Sequence, residues 1–189
     1  MSTSAFKIQL NQLSPAFIQE MKEKYGEAEL EIKVNRKPDF IPLKEADFWA
    51  IIDLLDWDEA KDEDILAPAI KQLKNKPIAH IYAFEDILSE KLYQLDQQKI
   101  AENIGENGYQ KDKYFSVDIF LYARACVVAN GKEAFEEVLE NPQSMPKGIT
   151  FEPLLSLAAK AYELKTGRIF NYSPSYNYET YANKQGWKA

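Results

Sequence analysis

The sequence predicts an α+β protein, with a small N-terminal β-α-β element followed by a mainly α-helical domain. Two patterns and one break predict it. Apolar and polar side chains alternate over 6–10 and over 28–34, the period of a half-buried strand. From Phe48 onward apolar residues recur at spacings of three and four, the period of an amphipathic helix. Pro38 and Pro42 separate the two regimes.

Within the first region, Phe6, Ile8 and Leu10 share one face of a strand. Ser14 then caps a helix and Pro15 opens it, because the first helical N–H has no partner to lose. Phe17, Ile18, Met21 and Tyr25 form its stripe and Gly26 its stop. A second strand follows over 28–34, and residues 1–42 are expected as a β-α-β appendage with a right-handed crossover if the strands lie parallel.

Residues 43–167 are expected as the helical domain. Phe48, Trp49, Ile51, Ile52 and Leu55 mark a first short helix, with Glu45 and Asp47 in its opening turn. The acid-rich stretch 58–64 reads as a solvated linker or helix start, and a helix over about 65–74 tolerates Pro68 only in its first turn. Ile81, Phe84, Leu88, Leu92 and Leu95 predict one long helix from Pro77 to about Ile104. The segment 105–113, with two glycines and mixed charge, is expected as a loop, the internal segment most prone to disorder. Ser116 caps a helix over about 117–130, a short helix follows over 132–140, and a last one covers 151–166 with Pro153 in its first turn. The tail, 168–189, scatters six aromatics among Asn, Ser and Pro, and is expected to pack on the surface of the helical domain.

With 30 acidic and 23 basic side chains among 189 residues the net charge is -7, which disfavours nucleic acid and anionic membranes as partners. Apolar residues at 46% exclude a disordered acidic chain. One histidine, His80, and one cysteine, Cys126, exclude Cys/His zinc sites and an internal disulfide. No cofactor or metal is expected. A cytoplasmic location is, because no secretory signal opens the chain and no apolar stretch approaches the ~20 residues of a membrane helix.

The segment 116–131 resembles the signature of a bacterial family, the domain of unknown function numbered 4240, with Ser116, Asp118, Phe120, Tyr122, Arg124 and Gly131 on matching positions. The Phe48-Trp49 helix and a long middle helix containing Phe84 are similar to that family too, so the resemblance spans roughly 45–145. Val117, Cys126 and the segments 97–100 and 110–114 depart from its pattern. It implies a fold and no activity.

The candidate polar site is Ser116, Asp118, Tyr122 and Arg124. Asp118 and Tyr122 are four apart and share a helix face, and a carboxylate, a phenol and a guanidinium together suit a polar ligand. The plainer account is a helix-start acid for Asp118 and a structural ion pair for Arg124. A Cys126–His80 dyad is disfavoured by the apolar residues around Cys126. No phosphate-binding glycine loop, nucleophile elbow or Glu-x-x-His pattern occurs, and no catalytic residue is assigned. Candidate contact residues are Trp49, which also reads as a core anchor, and Tyr172, Tyr176, Tyr178 and Trp187 of the tail. Charge and missing motifs together point to a non-catalytic interaction or adaptor protein, an immunity-type inhibitor being one version, whose acidic surface meets a basic partner protein. The alternative is an enzyme or small-ligand binder using the Asp118 face.

Overall fold

The structure, a computed structural model, describes residues 14–26 and 42–188. The chain divides into two compact units, Met1–Phe40 and Ile41–Ala189. In the first, helix α1 spans Pro15–Tyr25: Ser14 Oγ accepts the Phe17 N–H at 3.1 Å, Pro15 occupies the first turn, and Gly26 ends the helix. The two expected strands, over 6–10 and 28–34, lie outside the described residues. Among the described residues there is no strand, and the expected α+β class is corrected to a mainly α-helical fold. The physical difference is one of specification. A helix carries its start, stop and hydrogen bonds in one segment, whereas alternation makes a strand only where a neighbouring backbone pairs with it.

The second unit is built from α2 (Glu45–Ile52), α3 (Asp62–Asn75), α4 (Ile78–Gln94), α5 (Gln98–Ala101), α6 (Val117–Ala129), α7 (Lys132–Glu140) and α8 (Leu157–Thr166), with 3₁₀ turns at Pro142–Ser144 and Glu152–Ser156. Helix α6 is the centre: Phe120, Leu121 and every residue from Ala123 to Ala129 are buried, and α4, α7 and the Glu152–Ser156 turn pack on it. Helix α8 lies against α3 and α4. The Phe48 ring stands 4.8 Å from Phe84, joining α2 to α4.

The helix expected over 151–166 is a 3₁₀ turn at Glu152–Ser156 followed by α8, and three further elements differ from the sequence expectation. Helix α3 begins at Asp62, so Pro68 lies in its second turn. The three acids Asp62, Glu63 and Asp64 sit at the positive end of the helix, and burial of Ile65, Leu66, Ala69, Ile70 and Leu73 outweighs the one lost hydrogen bond. The long middle helix stops at Gln94, although its apolar period continues. Asp96 turns inward at 0% exposure to meet the tail, and the Gln98 N–H is taken by the Gly186 carbonyl at 2.9 Å. Loop 105–113 is tied to the body, with Tyr109 N–H donating to the Ala101 carbonyl at 2.9 Å and its ring at 5.4 Å from Phe115. No helix among the described residues is long and apolar enough to cross a membrane.

Candidate functional site

Where α6 begins, its exposed face borders an open groove of about 820 Å³. The start of α3 supplies Lys61, Asp62 and Glu63, α6 supplies Asp118, Leu121 and Tyr122, the Glu152–Ser156 turn and α8 supply Glu152 and Lys160, and the tail supplies Tyr178 and Glu179. Five carboxylates therefore face two lysines. Each acid comes from a helix start or an exposed tail position, where the carboxylate costs least: Asp62, Glu63, Asp118 and Glu152 all lie in first turns. Desolvation, then the Glu152 and Asp118 carboxylates, push the Tyr122 phenol above its ordinary range.

The four residues of the candidate polar site do not converge. Asp118 is exposed and Tyr122 half-buried on the groove, and Ser116 is occupied as the cap of α6, its hydroxyl accepting the Ile119 N–H at 3.3 Å. Arg124 points into the protein at 0% exposure. Its Nη1 donates to the carbonyls of Leu92 at 2.8 Å and Tyr178 at 3.0 Å, and its Nη2 donates to Thr180 Oγ1 at 3.0 Å. The guanidinium also lies 4.7 Å from the Phe120 ring centre. Burial draws its pKa down to about 10, against the opposing fields of Asp96 and Glu179. The Asp–Arg helix lock considered for Asp118 is thus replaced by an Arg–backbone lock on the tail.

That tail is fastened at two further charges. Asp86 accepts the Tyr172 hydroxyl at 2.7 Å and both the Ser175 N–H and hydroxyl at 2.8 Å. Asp96 accepts the N–H groups of Tyr181, Asn183 and the Trp187 indole at 3.2, 2.9 and 2.7 Å. Tyr172 stacks on Tyr82 at 4.6 Å and 17°, and burial followed by the Asp86 hydrogen bond pushes its phenol up to about 12. Trp187 is enclosed by Tyr181, Tyr109 and Phe120. Tyr176 is 39% exposed and sits 5.3 Å from Tyr93. Of the candidate contact residues, Trp49 is corrected to a core residue: it is 4% exposed, its indole donates to Glu45 at 3.1 Å, and it has no surface to offer a partner.

Beneath the strap, Glu85 is 6% exposed and its Oε2 has no hydrogen-bond partner. Burial, and then the neighbouring Asp86, raise its pKa to about 7. Cys126 is buried, its thiol pushed up by burial and its hydrogen-bond partner Asn130 rather than His80. No group of three or more potential metal ligands exists among the described residues.

Sequence reasoning assigned no functional role to Asp86, Asp96, Glu85 or Glu152. Asp96 alone had a signal, a carboxylate and two glutamines following Leu95 inside a sustained apolar period.

Neither the comparison with curated proteins nor that with solved structures gave a match. A family model does match, over residues 43–164, which takes in α2 to α7 and most of α8 and stops before the tail. Because that span is more than half of the 189 residues, the chain belongs to the family described as protein of unknown function (DUF4240).

Proposed function

We propose that the chain is a non-catalytic protein-interaction module whose groove at the start of α6 receives a basic segment of a partner protein. The observation that carries this is the groove's excess of negative charge, five carboxylates against two lysines. Its five carboxylates take no part in the two ion pairs found among the described residues, Lys91–Glu45 and Lys132–Glu136. A low-lying acidic surface accelerates encounter with a basic partner, and Leu121, Pro153 and Leu155 add apolar floor against which aliphatic stems of Lys or Arg can lie. The net charge of -7 supports the same reading, and a single buried thiol supports work in a reducing, cytoplasmic setting.

The test is selection of peptides from a random display library by immobilised wild-type protein and by the Asp118→Lys/Glu152→Lys variant. Enrichment of Lys/Arg-rich sequences by the wild type, lost in the variant and weakened by salt, supports the proposal. Selection without basic bias, or equal selection by both proteins, sinks it.

A further inference from the structure

We propose that the surface running along α4 to α6 is a recognition site for an extended aromatic segment, filled in cis by residues 170–188 and able to accept the same segment from a second copy of the chain. This site is distinct from the basic partner's groove, which it meets at Tyr178 and Glu179.

The strap is bound as a peptide ligand is bound. It has no helix or strand of its own, and its hold on the body runs through backbone groups offered to buried charges. Arg124 takes the Tyr178 carbonyl, and Asp96 takes the Tyr181 and Asn183 N–H groups. Main-chain bonds of this kind give affinity, and the Trp187 indole on Asp96 and the Tyr172 ring on Tyr82 give selectivity. Asp96 is 0% exposed and every hydrogen bond its side chain accepts comes from the strap. Without the strap Arg124 keeps only the Leu92 carbonyl. Two buried charges cannot be left so exposed in their needs, because each unsatisfied group carries its full desolvation cost. The site must therefore be filled from one source or another.

Two observations point to exchange between copies. The family match ends at residue 164, inside α8, and so leaves out the strap, while Asp96 and Arg124 both lie within it. The link is short and external: Gly167 has φ +67, Ile169 is 84% exposed, and the first docked ring is Phe170, 5.3 Å from Tyr162. A short surface hinge before a docked, identical element is the geometry of domain swapping.

Two experiments on the whole chain test this. In the first, a protease site placed between Gly167 and Arg168 is cut after folding, and a fluorescein-labelled peptide of residues 168–188 is added. The cut strap should remain bound on size exclusion and be displaced saturably by the peptide. The same peptide carrying Trp187→Ala should compete at least tenfold more weakly, and uncut protein should take up at least tenfold less label. In the second, deletion of Arg168 and Ile169, which shortens the link between Gly167 and Phe170, should convert the chain to a dimer. A cut strap that never exchanges, a body that unfolds as the strap leaves, or label uptake indifferent to Trp187 would overturn the recognition site. A hinge-deleted chain that stays monomeric would overturn the second copy as its occupant.

Discussion

The Trp187 indole N–H donates to Asp96 Oδ1 at 2.7 Å, across 91 residues of sequence, and this bond fixes the last turn of the chain on a fully buried carboxylate. Two backbone N–H groups share that carboxylate, so three N–H donors hold its charge. Trp187→Phe keeps most of the ring packing and removes one charge-assisted bond, and is expected to cost about 1.5 kcal/mol in urea unfolding. Asp96→Ala strands three donors and should cost about twice as much on the same scale. Equal midpoints for wild type and both variants would show that the strap adds nothing to stability.

Glu85 makes stability depend on pH with a definite sign. Its folded pKa is raised from 4.5 to about 7, chiefly by burial, so the fold favours the protonated form. The associated stability is complete below about pH 4.5, declines as the pH rises, and is lost once the carboxyl ionises in place above about 7. The difference between wild type and Glu85→Gln across that window should be on the order of 3 kcal/mol, with the Gln variant the more stable at pH 8. Thermal melts of both proteins from pH 4 to 8 check it. Parallel curves would mean that Glu85 does not titrate within the fold.

Helix boundaries were readable where they are set by local chemistry. Ser14 and Ser116 cap as their sequence positions indicate, and Gly26 and Gly167 end their helices. Where a distant segment sets the boundary the local pattern misleads: the apolar period running past Leu92 says nothing of a tail residue arriving 91 positions later to claim Asp96. The same holds for the site. Asp118 and Tyr122 share a face because a helix places them so, but Glu152, Lys160 and Glu179 reach that groove by tertiary folding alone. Arg124 is six residues from Asp118, and whether such a side chain turns out to the groove or in to the strap depends on packing that spacing cannot carry.

Arg124→Lys is expected to be far from conservative. A single ammonium cannot span the Leu92 and Tyr178 carbonyls and Thr180 Oγ1 from one planar fork, and Thr180 in turn donates to the Val117 carbonyl at 2.8 Å. The cost should be about 2 kcal/mol, close to that of one lost charge-assisted bond at a buried site. Trypsin cleavage at Lys184 should accelerate in the variant well before the body is cut. Unchanged cleavage at that lysine would remove Arg124 from the strap's anchorage.

Asp118→Ala separates binding from folding. The side chain is exposed in the first turn of α6, where a carboxylate contributes about 0.5 kcal/mol through the helix dipole, so the melting temperature should hardly move. Association with a Lys/Arg-rich peptide should slow severalfold at low salt and converge with the wild type at high salt. A large loss of stability would place Asp118 in the structural framework instead.

Gly186 and Gly167 give opposite expectations for the same substitution. A Cβ built on Gly186 would stand 2.6 Å from the Asp96 carbonyl oxygen and 2.9 Å from Gln97 Cγ, so the methyl must displace the backbone that carries the buried anchor. Gly186 also accepts the Gln98 N–H at 2.9 Å, and that bond would lengthen with it. Gly186→Ala should therefore cost about 2 kcal/mol by overpacking and expose the strap to trypsin. At Gly167 nothing lies within 4 Å of the added carbon, and the cost of about 1 kcal/mol arises only from φ +67. Gly167→Ala should lower the melting temperature while leaving Lys184 protected. If the two variants release the strap equally, the close approach of Gly186 to Asp96 is not what seats the end of the chain.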